Sequence, residues 1–421
     1  MSRIPADGRP PRVALVLAGG GARGAYEIGA LSILLPHLER RGERPDVIVG
    51  TSVGAINAAH LAATASDPLS QSLERGFRLW SEISFDDVLR PLVSVSELAK
   101  ALASFGELLG LRGARLWSLL DPSPLAGTLR ARIPLERIRA NVASGALAAA
   151  AVVATSARSG DSVVFHDGGG RPAADRLRAI TYVRARLAPE HVRASAAIPG
   201  VFPAVRVNQP RAAAGWSFDG GTRLNTPIKP ALSLGAERVI VIALNSLRSS
   251  GARGRPEALD GAAQLAQAVL VDPLVNDVRT LATINTALRA RGAGVGGGRR
   301  RSRASPRPIP YIFVAPEQPS EIGAIAARVY REHYAGLLNQ ARSPSIALLG
   351  RAFNAAQSPA RGELFSYLFF AREFAEALMQ LGRDDARRWL DRRHDEGPWR
   401  LRKPPHKTGV RGLLPRPARN G

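Results

Sequence analysis

Two glycine-bracketed turns constrain this chain more than any other feature. Gly19-Gly20-Gly21-Ala22-Arg23-Gly24 follows the apolar run Val13-Ala14-Leu15-Val16-Leu17, and Gly50-Thr51-Ser52-Val53-Gly54 follows Val47-Ile48-Val49. Helix-like stretches come next, Ala25–Leu38 after the first turn and Val53–Ala63 after the second. Strand, turn and helix alternating in this way predict a parallel sheet covered by helices. Pro36 predicts a kink or an end near the C-terminus of the first helix.

A serine between two glycines on a strand-to-helix turn reads as a nucleophile elbow, and Ser52 occupies that position. The glycines let other backbone approach closely. The helix beneath offers unpaired N–H groups and the positive end of its dipole, both suited to a developing oxyanion. The upstream glycine turn would add further donors. The plainer reading is an ordinary turn in which Ser52 caps a helix.

A serine nucleophile needs a base, usually a histidine held by a carboxylate. The seven histidines are His37, His60, His166, His191, His333, His394 and His406. None lies in a glycine-bearing loop after a late strand, and a surface or structural role suits each better. A carboxylate acting directly is the alternative. Asp219 ends the strand-like Trp216–Phe218 and precedes Gly220-Gly221. Partial burial beside a serine hydroxyl would raise its pKa and improve it as a base. Asp167-Gly168-Gly169-Gly170 matches the same tripeptide but leads into a polar, arginine-rich loop.

Composition excludes several classes. The 421 residues include no cysteine, so there is no disulfide framework, cysteine metal site or thiol nucleophile. Met1–Pro11 is polar and lacks the apolar core of a secretory signal. Ala146–Ala154 is too short to span a bilayer, which takes about 20 apolar residues. These features predict a cytoplasmic protein. The net charge is +23 and is almost entirely arginine, the lysines being Lys100, Lys229, Lys403 and Lys407. Residues 289–307 and 397–421 each carry seven basic residues and no acid; the remainder has 44 basic against 35 acidic. Basic segments on a mildly basic globule are the favoured reading, with peripheral docking on an anionic membrane as the sharper one. Residues 289–307 contain no aromatic residue, so a stacking platform for single-stranded nucleic acid is not expected.

Along the chain, residues 1–11 read as a flexible N-terminus and 12–245 as a catalytic domain. Residues 246–310 read as a variable segment with a Gly/Arg-rich loop, 311–396 as a late strand followed by helices, and 397–421 as a basic disordered tail. Between residues 70 and 145 no strand signal occurs; Ser96–Leu111 has helical spacing and Ser123 follows a helix-start signal at Asp121-Pro122. This block reads mostly as helical packing, or else as an apolar cover over an acyl pocket. Strands are expected at Ala149–Ala154, Ser162–Phe165, Ala204–Val207, Val239–Leu244 and Tyr311–Val314. Helices are expected at Ile322–Leu338 and Ser343–Phe353, with one long helix over Leu364–Leu390.

In combination, the motifs resemble the patatin-like phospholipase family. The matching elements are Gly19–Tyr26, Gly50–Asn57, Ala194-Ser195-Ala196-Ala197-Ile198-Pro199-Gly200-Val201-Phe202-Pro203 and Asp219-Gly220-Gly221, followed by Asn225-Thr226-Pro227. They cover about residues 13–245. The resemblance implies a three-layer α/β/α fold around a mostly parallel sheet, with a C-terminal helical region outside the match. It implies a Ser-Asp dyad of Ser52 and Asp219 and an oxyanion hole at Gly20, Gly21 and Ala22, with Arg23 as electrostatic support. The expected chemistry is two-step hydrolysis of an acyl-lipid ester, the Val53 N–H also facing the oxyanion, with neither cofactor nor metal.

Two competing readings remain. Gly19, Gly21 and Gly24 fit a dinucleotide fingerprint, which would make the chain an oxidoreductase, but that fingerprint expects an acid at the end of the second strand, where the serine turn stands. The arginine segments alone would suit a non-enzymatic binder of membrane or nucleic acid.

Overall fold

The computed structural model describes residues 10–88, 90–91, 120–121, 123–199, 202–248, 281–288, 307–336, 345–346, 349–350 and 359–402. The expected helix over Ser96–Leu111, the Gly/Arg-rich stretch 289–306, most of Ser343–Phe353 and the tail after Arg402 lie outside the described residues.

Nine strands form one mixed sheet among the described residues. They are β1 (Val13–Leu17), β2 (Pro45–Thr51), β3 (Ala149–Ser156), β4 (Ser162–Gly168), β5 (Ile180–Arg184), β6 (Val205–Val207), β7 (Gly215–Asp219), β8 (Arg238–Ile242) and β9 (Tyr311–Val314). The main order is β9-β8-β1-β2-β3-β4-β5, and β7 pairs with both β3 and β6. From β9 to β3 all neighbours are parallel. Strands β1, β8 and β9 are buried along their whole length. That is why they read as continuous apolar runs rather than alternating ones.

Among the α-helices of the described residues are α1 (Ala25–Glu39), α2 (Val53–Ala63), α3 (Leu69–Glu82), α4 (Phe85–Val88), α5 (Ser123–Arg132), α6 (Glu136–Ala143), α7 (Pro189–Ser195), α8 (Gly221–Leu224), α9 (Ile228–Ser233), α10 (Glu321–His333), α11 (Pro359–Phe365) and α12 (Arg372–Asp391), and residues 281–288 are helical too. With the sheet they make a three-layer α/β/α fold with a helical C-terminal region. Pro36 sits inside α1, which continues to Glu39, so any interruption it causes is absorbed in the last turn. A two-residue pairing of Arg90–Pro91 with Leu120–Asp121 interrupts the stretch read as strand-free.

Two expectations at the C-terminus are corrected. The single long helix over Leu364–Leu390 is two helices, α11 and α12, separated by residues 366–371. Phe369 and Phe370 keep apolar spacing through that break because both are buried, so periodicity alone could not reveal it. Residues 397–402, assigned to a disordered tail, are ordered against the body. Trp399 is fully buried and its indole N–H donates to Glu43, while Tyr311 and Arg400 exchange two backbone hydrogen bonds. The aromatic ring overrides the basic, proline-rich composition around it.

Register decides where a site can form. Leu17 lies level with Gly50 on one side and Ile242 on the other. The glycine turn after β1 and the serine turn after β2 therefore leave the sheet side by side, at the carboxyl edge where parallel sheets place ligands.

Candidate active site

The elbow is built by close backbone approach. A Cβ on Gly50 would lie 2.1 Å from the Gly54 carbonyl oxygen, and one on Gly54 would lie 2.4 Å from that of Leu17. No larger residue fits at either flank. Ser52 between them has φ 55° and ψ −125°, a conformation that non-glycine residues rarely hold. Its side chain is buried, and α2 starts immediately after it.

Strand pairing brings the carboxylate to the serine. Thr51 pairs with Val153 across β2 and β3, and the next β3 residue, Ala154, pairs with Asp219 on β7. Ser52 Oγ donates to Asp219 Oδ2 at 2.6 Å. The other carboxylate oxygen accepts the Gly221 N–H at 2.6 Å, and the Asp219 N–H donates to the Ala197 carbonyl at 2.8 Å. Burial pushes the Asp219 carboxyl up to about 7, against the opposing effect of the hydrogen bonds from Ser52 and Gly221. A carboxylate in that range can take a proton from a neighbouring hydroxyl at neutral pH.

Asp167 stands elsewhere. It pairs with Ala150 near the opposite end of β3 and accepts a hydrogen bond from Arg139. The buried histidines are held by backbone: His60 contacts the Ser72 carbonyl at 2.9 Å, His166 that of Gly168 at 2.8 Å and His191 that of Gln209 at 2.7 Å. Burial draws the pKa of all three down.

The glycine turn packs directly on the serine. A Cβ on Gly19 would lie 2.9 Å from Ser52 Cβ and 2.4 Å from Asn225 Oδ1. Asn225 holds the turn, its side-chain and backbone oxygens both accepting the Gly19 N–H, at 3.0 and 3.2 Å. Among the described residues, no acceptor is paired with the N–H of Gly20, Gly21 or Val53. Gly21 and Val53 line the same cleft as Ser52.

Ala22 and Arg23 are placed differently from the reading that put them at the oxyanion. The Ala22 N–H donates to the Tyr367 carbonyl at 2.8 Å. The Arg23 guanidinium is fully buried and bonds to Ser366 Oγ at 2.8 Å, Asn245 Oδ1 at 3.0 Å and the Glu363 carboxylate at 2.8 Å. The physical reason is that a buried cation requires a full shell of acceptors and an anion, and Asn245 after β8 together with residues 363–366 after β9 supplies them. With Gly19 and Ala22 engaged, two of the donors a dinucleotide phosphate would take are already used.

A second network braces the turn from behind. Asn57 donates to the Gly24 carbonyl at 2.9 Å and to Glu27 at 2.8 Å, and accepts the Trp80 indole N–H at 2.9 Å. Burial pushes the Glu27 carboxyl well above its ordinary range. Trp80 also walls an apolar cleft that opens on Ser52 and Gly21. Ile56, Leu125, Leu129, Phe202 and Phe370 complete much of its lining. Helices α3 and α5, from the block read mostly as packing, thus contribute to a cavity beside the serine. Its walls suit a hydrocarbon chain and offer little to a charged ligand.

A family model for patatin-like phospholipase matches residues 15–232. The chain belongs to the patatin-like phospholipase family. No curated protein matches it. The similar solved structures include the following two. One is VipD from Legionella pneumophila, at 15% identity and TM-score 0.28, with 89% of this chain and 67% of that one covered. The other is human GIVD cytosolic phospholipase A2 in complex with methyl gamma-linolenyl fluorophosphonate, at 13% identity and TM-score 0.31, with 90% of this chain covered. This patatin-like chain spans 59% of the length of that human enzyme. The family match ends before Asn245, Glu363, Ser366 and Tyr367, so the partners of Arg23 lie outside it. Nothing local in the sequence marks those four residues for a role. Ser195 lies inside one of the family motifs, but its type and position alone do not reveal what it does. Its hydroxyl accepts the Ser52 N–H.

Proposed function

We propose that this protein hydrolyses carboxylic esters of acyl lipids, with Ser52 as nucleophile and Asp219 as base. The observation that carries this reading is the 2.6 Å hydrogen bond from Ser52 Oγ to Asp219 at the mouth of an apolar cleft. The acyl chain lies along that cleft and its carbonyl carbon meets Ser52 Oγ. As the bond forms, Asp219 Oδ2 takes the hydroxyl proton. The negative charge developing on the carbonyl oxygen is received by the N–H groups of Gly20, Gly21 and Val53. Collapse expels the alcohol, which takes the proton from Asp219. Water then attacks the acyl-serine ester as Asp219 accepts its proton; when the ester C–O bond breaks, Asp219 returns that proton to Ser52 Oγ and the fatty acid leaves.

The test is hydrolysis of p-nitrophenyl butyrate and of phospholipid in mixed micelles by wild type, Ser52→Ala and Asp219→Asn. Wild type should turn over at least one of the two substrates. Each variant should lose activity by about a thousandfold or more while unfolding as cooperatively as wild type. A folded Ser52→Ala protein with wild-type turnover, or a wild type inert on both substrates, would overturn the proposal.

A further inference from the structure

The groups that shape the glycine turn come from the other end of the chain. Gly21 has φ 59°, and a Cβ there would lie 2.2 Å from the Tyr367 carbonyl oxygen. That same oxygen accepts the Ala22 N–H. The Tyr367 ring lies over the Arg23 guanidinium, 3.8 Å from its centroid to Cζ. Glu363 ion-pairs with Arg23, its backbone carbonyl accepts a second guanidinium N–H at 2.6 Å, and Ser366 accepts a third at 2.8 Å. Residues 22 and 23 are therefore fixed on both backbone and side chain by one segment, 363–367. Tyr367 and Phe370 also line the cleft beside Ser52 and Gly21.

We propose that residues 359–370 set the geometry of the oxyanion turn, with Tyr367 as the main positioning residue. The proposal rests on the hydrolase reading above. By holding the Ala22 N–H and the Arg23 side chain, the segment pins the C-terminal end of the turn and limits how far the preceding Gly20 and Gly21 peptides can rotate. The N–H groups of Gly20 and Gly21 are then aimed at the reacting carbonyl without having to reorganise. An oxyanion donor acts through such preorganisation, and its loss typically costs about a hundredfold or more in kcat. A turn left loose should show a sizeable part of that loss. The segment does not touch the reacting atoms, so its effect falls on turnover rather than on binding of a small substrate. The acyl wall formed by Tyr367 and Phe370 ties the same segment to chain binding.

The experiment compares wild type, Tyr367→Ala, Tyr367→Phe and Glu363→Gln in the full chain. Turnover of p-nitrophenyl acetate, whose acyl group is too short to need the cleft wall, is measured together with amide hydrogen exchange of the peptide covering residues 18–25. Tyr367→Ala is expected to lower kcat by about tenfold or more with KM changed less than about threefold, and to speed exchange at residues 18–25. Tyr367→Phe keeps the ring over Arg23, so its fall in kcat and its rise in exchange should each be smaller than those of Tyr367→Ala. Glu363→Gln should speed exchange over the same peptide. Wild-type kcat in folded Tyr367→Ala would overturn the proposal, as would an equal loss in Tyr367→Phe. Fast exchange at residues 18–25 in wild type would overturn it without reference to turnover. Failure of wild type on every ester would instead bring down the hydrolase reading, which the exchange measurement does not depend on.

Discussion

Ser195 ties Ser52 to the neighbouring strand. Its Oγ accepts the Ser52 N–H at 2.9 Å and donates to the Val153 carbonyl at 2.5 Å. One fully buried hydroxyl thus satisfies a backbone donor at the elbow and a backbone acceptor on β3. The residue in the unfavourable conformation is held from the strand that also pairs with the Asp219 strand. Ser52 and Asp219 are referenced to the same piece of backbone.

Replacing that hydroxyl should be costly. Ser195→Ala leaves the Ser52 N–H without its partner, and an unsatisfied buried polar group costs about 1–3 kcal/mol. Thermal unfolding of Ser195→Ala should show that loss. Esterase kcat should fall at temperatures where the variant remains folded, because the elbow is free to relax. A variant that loses stability but keeps full kcat would make Ser195 a purely structural contact.

The Asp219 carboxyl, raised to about 7 by burial, sets a pH dependence for turnover. Only the ionised form accepts the Ser52 proton. The rate constant kcat/KM should therefore rise with pH through about 7 and level off above it. A profile of p-nitrophenyl ester hydrolysis between pH 5 and 9, corrected for spontaneous hydrolysis, checks this. A plateau extending down to pH 5 would contradict it.

The same carboxyl affects stability with a definite sign. Its folded pKa is raised from 3.8 to about 7, so the folded state binds the proton more tightly than the unfolded chain. The stabilisation from this proton is complete below the unfolded value and is lost as pH climbs through the folded one. At about 1.4 kcal/mol per unit, the effect is bounded at roughly 4 kcal/mol. Asp219→Asn, which stays neutral, should unfold at a higher temperature than wild type at pH 8. The difference should shrink toward zero near pH 4. Calorimetry at the two pH values reads the sign directly.

Cleft volume should govern acyl-chain length. Leu125 and Leu129 project from successive turns of α5 into the cavity. Enlarging one of them, as in Leu129→Phe, should shift the preferred chain length downward in a series of p-nitrophenyl esters from acetate to dodecanoate. Each excluded methylene removes roughly 0.8 kcal/mol of apolar burial, about a fourfold loss in kcat/KM. Unchanged preference would place the acyl chain elsewhere.

Much of the architecture was readable because its residues carry their own signal. β1 and β8 are buried on both faces, so their apolar runs could only be central strands. The serine turn carries its signal in two flanking glycines, Gly54 required by the close approach of Leu17 at the end of β1 and Gly50 by that of the first turn of α2. Asp219 could be told from Asp167 by the residues C-terminal to each, and the sheet puts the two near opposite ends of β3. Features that depend on distant partners stayed hidden. Arg23 looks the same in sequence whether it faces an oxyanion or is enclosed by Glu363 and Ser366. Which of these holds is decided by a segment with no motif of its own. Trp399 was lost in a basic tail because a single buried aromatic has no periodicity. The break between α11 and α12 was masked by phenylalanines that remain apolar on both sides of it.

The closure of residues 19–24 by residues 363–367 also has a consequence for how the protein is made. Ser52 and Asp219 leave the ribosome well before the segment that encloses Arg23. Until that segment arrives, a guanidinium destined for the interior lacks the Glu363 carboxylate, and the glycine turn beside Ser52 lacks the contacts that close it. A chain interrupted after β8 would keep Ser52 and Asp219 but lack Glu363, Ser366 and Tyr367, and the glycine turn would be left without the groups that close over it.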